Sequence, residues 1–134
     1  MSLQETIESC VQQIPECGAG GYVDLTTGML LGIDTVDSHP QEVIDLVAAA
    51  TADLFQGPNV VAIEQLFKKS RGLEDHDMHY FQEMIIFSDN LIHVFLRAKR
   101  YPDHVVCFVT RKAANIGMVL AKSRMLLSNL EEAL

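Results

Sequence analysis

The segment Gly20-Gly21-Tyr22-Val23-Asp24-Leu25-Thr26-Thr27-Gly28-Met29-Leu30-Leu31-Gly32 constrains this chain more than any other. Its two short apolar runs, Tyr22 to Leu25 and Met29 to Ile33, flank Thr26-Thr27-Gly28. Glycine suits the positive φ that a tight reversal often needs, so the spacing predicts two antiparallel strands. Gly18, Gly20, Gly21 and Gly32 look superficially like a phosphate-binding loop. Such a loop must open a helix whose N-terminus faces the phosphate, whereas the residues after these glycines turn back as a strand.

The hairpin sits in a mixed pattern. Leu3, Ile7, Val11 and Ile14 form a helical stripe that Pro15 and Gly18 end. After the hairpin, Ser38 or His39 before Pro40 marks a second helix start, and the helix runs to about Phe55. Val43, Ile44, Val47, Ala50, Leu54 and Phe55 make its apolar face, and its alanines leave a shallow surface that another helix or a sheet can approach closely. Val60 to Ser70 reads as a further helix ending in Lys68, Lys69, Arg71 and Gly72, although Val60-Val61-Ala62-Ile63 also suits a strand. Gly72 to Asp77 is then a loop. Three strands follow, Tyr80 to Phe87, Leu91 to Ala98 and Val105 to Val109, and Thr110 is expected to cap a long closing helix to about Leu130. On that helix Ile116, Val119, Leu120, Leu127 and Leu130 are the expected buried face.

Composition narrows the class. With 49% hydrophobic and 21% charged residues in 134, the chain is expected to be globular throughout, with one core and one domain over 1–134. Apolar runs are shorter than the roughly 20 residues a bilayer needs, so no membrane span is expected and the location is read as cytoplasmic. A net charge of −8 argues against a nucleic-acid binder, because phosphate binding needs clustered Lys and Arg. The charge is unevenly spread: residues 1–67 hold ten carboxylates and no Lys or Arg, while residues 91–124 hold seven basic residues against Asp103 alone. That asymmetry suits steering of a charged partner or a second copy, and equally suits ordinary solvated faces.

Nothing in these residues spells out an enzyme. Cys10, Cys17 and Cys107 form no CxxC pair and are expected to be idle, buried thiols. Cys107 lies in an apolar strand where burial makes a thiol inert. Asp75, His76, Asp77 and His79 are the one local group of metal-ligand types, but a surface loop offers no rigid third or fourth ligand, so no metal and no cofactor is expected. His93 has no placeable nucleophile beside it. Arg97, Lys99, Arg100, Arg111 and Lys112 are the partner-binding candidates, and an acidic protein surface suits them better than nucleic acid because no aromatics are interleaved. Tyr80 to Phe87 has neither proline nor lysine. At a sheet edge it would be an unprotected pairing site, for which a second copy is the economical cover.

Gly20 to Gly32, the strands from Met84 to Val109 and the closing helix with Asn115-Ile116-Gly117-Met118-Val119 together resemble the roadblock, or dynein light chain, family. The resemblance covers nearly the whole chain. It implies an α+β fold, α-β-β-α-β-β-β-α, whose five-stranded antiparallel sheet has the first and last helices on one face and the middle helix on the other. The chain departs from that pattern by a helical insert within 57–78. The resemblance further implies a non-catalytic dimeric scaffold or regulator of a small Ras-like GTPase, pairing with itself or with a paralogue. Carried onto this chain, the dimer surface would use Val43, Val47, Ala49, Ala50 and Leu54 of the middle helix with Phe81, Met84, Ile85 and Ile86 of the third strand. The alternative function is a small-ligand sensor with a pocket between sheet and helix.

Overall fold

The computed structural model describes residues 1–36, 41–72 and 79–134, without the side chains of 41–44. The expected helix start at Ser38 to Pro40, and Asp75, His76 and Asp77, lie outside the described residues. In chain order the elements are α1 (Leu3–Gln13), β1 (Cys17–Asp24), β2 (Met29–Thr35), α2 (Gln41–Gln56), α3 (Pro58–Ser70), β3 (Glu83–Phe87), β4 (Leu91–Arg97), β5 (His104–Arg111) and α4 (Ile116–Glu132). The strands form one antiparallel sheet in the order β2-β1-β5-β4-β3, which leaves β2 and β3 at the edges.

Strand alternation sorts the core into two layers. One face of the sheet carries Tyr22, Ile92, Val94, Leu96, Val106 and Phe108, packed under Ile7, Cys10 and Val11 of α1 and Val119, Leu126, Leu127 and Leu130 of α4. The opposite face carries Val23, Phe95 and Val105 under Ala48 and Phe55 of α2. The period-2 split of Ile92, Val94 and Leu96 from His93, Phe95 and Arg97 is what places β4 between these layers. The expected placement of the helices on the two faces is therefore observed.

The hairpin turns at Gly28, whose φ of +72° is the left-handed conformation that favours glycine. Asp24 supports the reversal, its main-chain oxygen accepting from Gly28 N at 2.8 Å and its carboxylate from Thr26 N at 3.0 Å. Gly32 serves a different end. A Cβ there would lie 2.6 Å from Ile7 Cδ1, so its bareness lets α1 settle onto β2.

Several boundaries differ from expectation. β1 begins at Cys17, so Gly18, Gly20 and Gly21 are strand residues and not flanking loop. The helix expected over Val60 to Ser70 is observed and starts two residues earlier, at Pro58, because Pro58 fixes the first turn and Gly57 breaks from α2 with a ψ of 156°. That break splits the apolar stretch Asp45–Ser70, which by length and composition alone is enough to cross a membrane, between α2, a helix of 16 residues that begins before it, and α3, a helix of 13. Each is shorter than a bilayer requires. β3 starts three residues later than expected, since Tyr80 and Phe81 are diverted to contacts with α3. Thr110 does not cap α4. It is buried within β5, and Asn115 caps the helix instead by accepting from Met118 N at 3.1 Å.

Candidate interaction face

α2 lies over β1 and β2, reaching β4 chiefly where Phe55 meets Phe95. The α2 side of the sheet is consequently thinly covered beyond β1. Met84 and Ile86 of β3, His93 of β4, and Cys107 and Val109 of β5 all point to that side and keep measurable exposure. On α2 itself Leu46 is 70% exposed and Val47 55%, beside exposed Ala49 and Ala50. Leu54 is half-buried against the α2-side core. Small and apolar exposed helix positions beside an apolar sheet margin make one continuous surface of the kind that marks protein contact.

The two sheet edges are treated differently. On β2, the side-chain amide of Gln4 from α1 takes the place of a neighbouring peptide: its Nε2 donates to Ile33 O at 2.6 Å and its Oε1 accepts from Ile33 N at 3.1 Å. Among the described residues β3 has no comparable guard, since no side chain there hydrogen-bonds to the main chain of Glu83–Phe87. Ile85 and Phe87 on its other side are exposed as well. β3 thus presents open peptide groups flanked by apolar side chains, a template for a further strand.

The proposed dimer residues fall partly together. Val47, Ala49 and Ala50 are exposed on α2, and Met84, Ile85 and Ile86 are on β3. The side chain of Val43 is outside the described residues. Phe81 precedes β3 and turns to α3, meeting Phe67 and Tyr80 edge-on. Leu46 on α2 and Phe87 on β3, at 59% exposure, are exposed apolar residues that were not foreseen, Phe87 on the Ile85 side of the strand. The alanine-rich look of α2 masked the one, and the strand end the other.

The basic candidates do not cluster. Arg97 pairs across the ladder with Val105 at one end of β5, and Arg111 pairs with Leu91 at the other, six residues away, or about 20 Å at strand rise. Lys99 and Arg100 sit at the first end, where Arg100 Nε is 3.7 Å from Glu131. Lys112 and Arg111 sit at the second, with Arg111 3.8 Å from Glu16. Arg97 is turned inward at 3% exposure. Its Nε donates to Phe81 O at 2.9 Å, its Nη1 donates to Pro102 O at 2.6 Å, and its guanidinium lies 5.2 Å from the Phe55 ring centroid.

That arginine belongs to a buried network that anchors the insert. Glu64 of α3, 3% exposed, accepts from Tyr80 N at 2.7 Å and Phe81 N at 3.0 Å. His79 lies between Glu64, at 3.7 Å, and Asp103, at 3.6 Å. Phe67 stacks on Tyr80 with centroids 5.1 Å apart. The remaining chemistry candidates are quiet. Burial pushes the Cys107 thiol up to about 12 and that of Cys10 up to about 11, which removes the reactive thiolate. Burial also lowers the pKa of His93, whose Nε2 is 3.1 Å from Ser88 Oγ. Among the described residues there is no group of His, Cys, Asp and Glu arranged to hold a metal ion.

By sequence the chain matches no family model and no curated protein. By fold it is similar to a roadblock/LC7 domain from Streptomyces avermitilis, with a TM-score of 0.71 at 13% identity over 98% of this chain and 97% of that one. It is similar to the gliding protein MglB from Thermus thermophilus, with a TM-score of 0.71 at 16% identity over 98% and 87% of the two chains. A further MglB structure, described as having a tetrameric arrangement, gives 0.71 at 19% identity over 98% and 90%. At these identities it is the fold that is shared: this chain has the roadblock/LC7 fold.

Proposed function

We propose that this protein is a non-catalytic, cytoplasmic scaffold or regulator that works as a dimer, with itself or a paralogue, and binds a small Ras-like GTPase. The observation that carries the dimer is the open edge of β3 beside the exposed apolar positions of α2, on a side of the sheet that α2 leaves largely bare. A second copy placed by a two-fold axis at β3 extends the sheet and lays its own α2 beside the first, covering Val47, Ala50, Met84 and Ile86. The tetrameric arrangement of one structural neighbour supports self-assembly of this fold. The GTPase partner rests on the family resemblance. Lys99 and Arg100 at one end of the sheet, or Arg111 and Lys112 at the other, are the cationic positions offered to an acidic partner surface.

Sedimentation velocity over a wide concentration range tests the pairing, and a monodisperse monomer at high concentration refutes it. Affinity capture from lysate of the source organism, with GDP or a GTP analogue added, tests the partner. Nucleotide-dependent retention of a Ras-like GTPase is the expected result, and retention of none in either state removes that half of the reading.

A further inference from the structure

Between α2 and the sheet lies a hollow of about 270 Å³. Its floor is made of small or half-exposed side chains, Ala19 on β1, Cys107 and Val109 on β5 and His93 on β4, and its roof is Val47, Ala48 and Thr51. The floor is hollow by choice of residue. A Cβ at Gly21 would meet Leu30 Cδ2 at 3.4 Å and Gly32 O at 3.9 Å, ordinary contact distances, so β1 has room for a side chain where it carries none. Gly32 is the contrast, since there close packing forbids one.

We propose that this chamber binds one small, uncharged, mainly apolar molecule about the size of a bicyclic aromatic ring. A dry apolar cavity of about 150 Å³ is enough to take up benzene, so the larger volume here suits roughly ten non-hydrogen atoms. Among the described lining residues the walls are mostly apolar, with Thr35, Thr51 and His93 the polar side chains. Thr51 Oγ1 donates to Val47 O at 2.9 Å, which leaves its oxygen free to accept. Access is provided at Ala19, Leu91 and Val109, which also line a second hollow of about 500 Å³. In that outer hollow Arg111 faces Glu16 at 3.8 Å, so the approach favours neither anion nor cation. The inference goes beyond the scaffold reading and does not depend on it.

The test is a titration of indole into the full-length protein followed by methyl NMR. Saturable shifts at Leu30, Val47 and Val109 are expected. In Gly21→Val and Cys107→Leu, which place atoms in the chamber, affinity should fall by about tenfold or more, while Ala121→Leu on the exposed side of α4 leaves it unchanged. Two filled variants guard against one of them misfolding, which far-UV circular dichroism reports. Absence of saturable shifts in the wild type, or undiminished affinity in a folded filled variant, overturns the proposal.

Discussion

Replacing Gln4 tests the idea that one edge of the sheet is closed by a side chain. Gln4→Ala removes a donor to Ile33 O and an acceptor from Ile33 N. A typical intramolecular hydrogen bond contributes about 0.5–1.5 kcal/mol net, and water can reach this edge, so a loss of about 1–2 kcal/mol is expected for the pair. In a domain of this size that corresponds to a fall in Tm of roughly 3–8 °C. Gln4→Glu separates hydrogen bonding from packing. An ionised carboxylate still accepts from Ile33 N but cannot donate to Ile33 O, and it also stands near Glu8, which Gln4 Nε2 now contacts at 3.2 Å. At neutral pH the glutamate variant should therefore be less stable than the alanine variant, and it should recover when acidified because a protonated carboxyl can donate again. Repeating the comparison in a Glu8→Gln background removes the charge repulsion and leaves the lost donor. Differential scanning calorimetry from pH 4 to pH 8 reads all of this. An alanine variant that melts within about 1 °C of wild type, together with a glutamate variant showing no recovery in acid, would refute the strand-mimic role.

Ala50→Arg places a charge in the proposed pairing face and should raise the dimer dissociation constant by about a hundredfold or more without lowering the monomer's Tm, as read by sedimentation equilibrium; Ile85→Pro in β3 should do likewise by removing a ladder donor. Arg97→Met leaves the carbonyls of Phe81 and Pro102 without their buried donor and should cost about 2–4 kcal/mol in urea unfolding, and a loss under about 1 kcal/mol would contradict the network described. Glu83 is held below its ordinary value of 4.5, chiefly by the hydrogen bond from Arg124, with Nη2 at 2.6 Å from Oε1. A depressed folded value means that its contribution is present above pH 4.5 and is lost as pH falls through the folded value. The stability gap between wild type and Arg124→Ala should accordingly narrow on acidification, and a gap independent of pH would count against it. Burial raises the pKa of all three cysteine thiols, so an aromatic disulfide reagent at pH 8 should label the native chain far more slowly than the urea-unfolded one.

Local patterns in the sequence were good guides wherever one residue's neighbours along the chain decide its environment. The apolar stripe of α1, the Gly28 turn and the alternation in β4 are of this kind, and each lies where the spacing puts it. The failures have a common physical origin in contacts between distant residues. Thr110 has the side chain of a helix cap, yet Ile92 of β4 pairs across the ladder with it and holds it in the sheet, so the cap passes to Asn115. Arg97 looks like a solvent cation by type, and becomes internal because Phe81 and Pro102 bring carbonyls to it from either side. Gln4 reads as an ordinary exposed helix residue, and only the approach of Ile33, 29 residues away, gives it an edge to close. The candidate face was legible as apolar positions on α2 and β3, but which of them remain uncovered depends on how α2 lies across the sheet.

The insert bears on the same surface in a way its sequence alone does not suggest. Glu64 and Phe67 of α3 capture Tyr80 and Phe81, taking the Tyr80 and Phe81 amide donors that a longer third strand would have used for its ladder. β3 is thereby cut to five residues, Glu83–Phe87. Two such strands pairing about a two-fold axis exchange only about four to six hydrogen bonds, each weak in net terms. An edge this short is a poor adhesive for arbitrary strands and needs a second contact to hold a partner. On this chain the second contact available is the exposed face of α2, so pairing requires a partner that presents both a strand and a shallow helix in the right relation. In the proposed dimer, the anchoring of α3 would make the β3 edge selective in what it pairs with. Glu64→Ala, by releasing Tyr80 and Phe81, should lengthen the free edge and broaden self-association beyond the dimer in light scattering; unchanged assembly in a folded variant would show that the insert has no part in that selectivity.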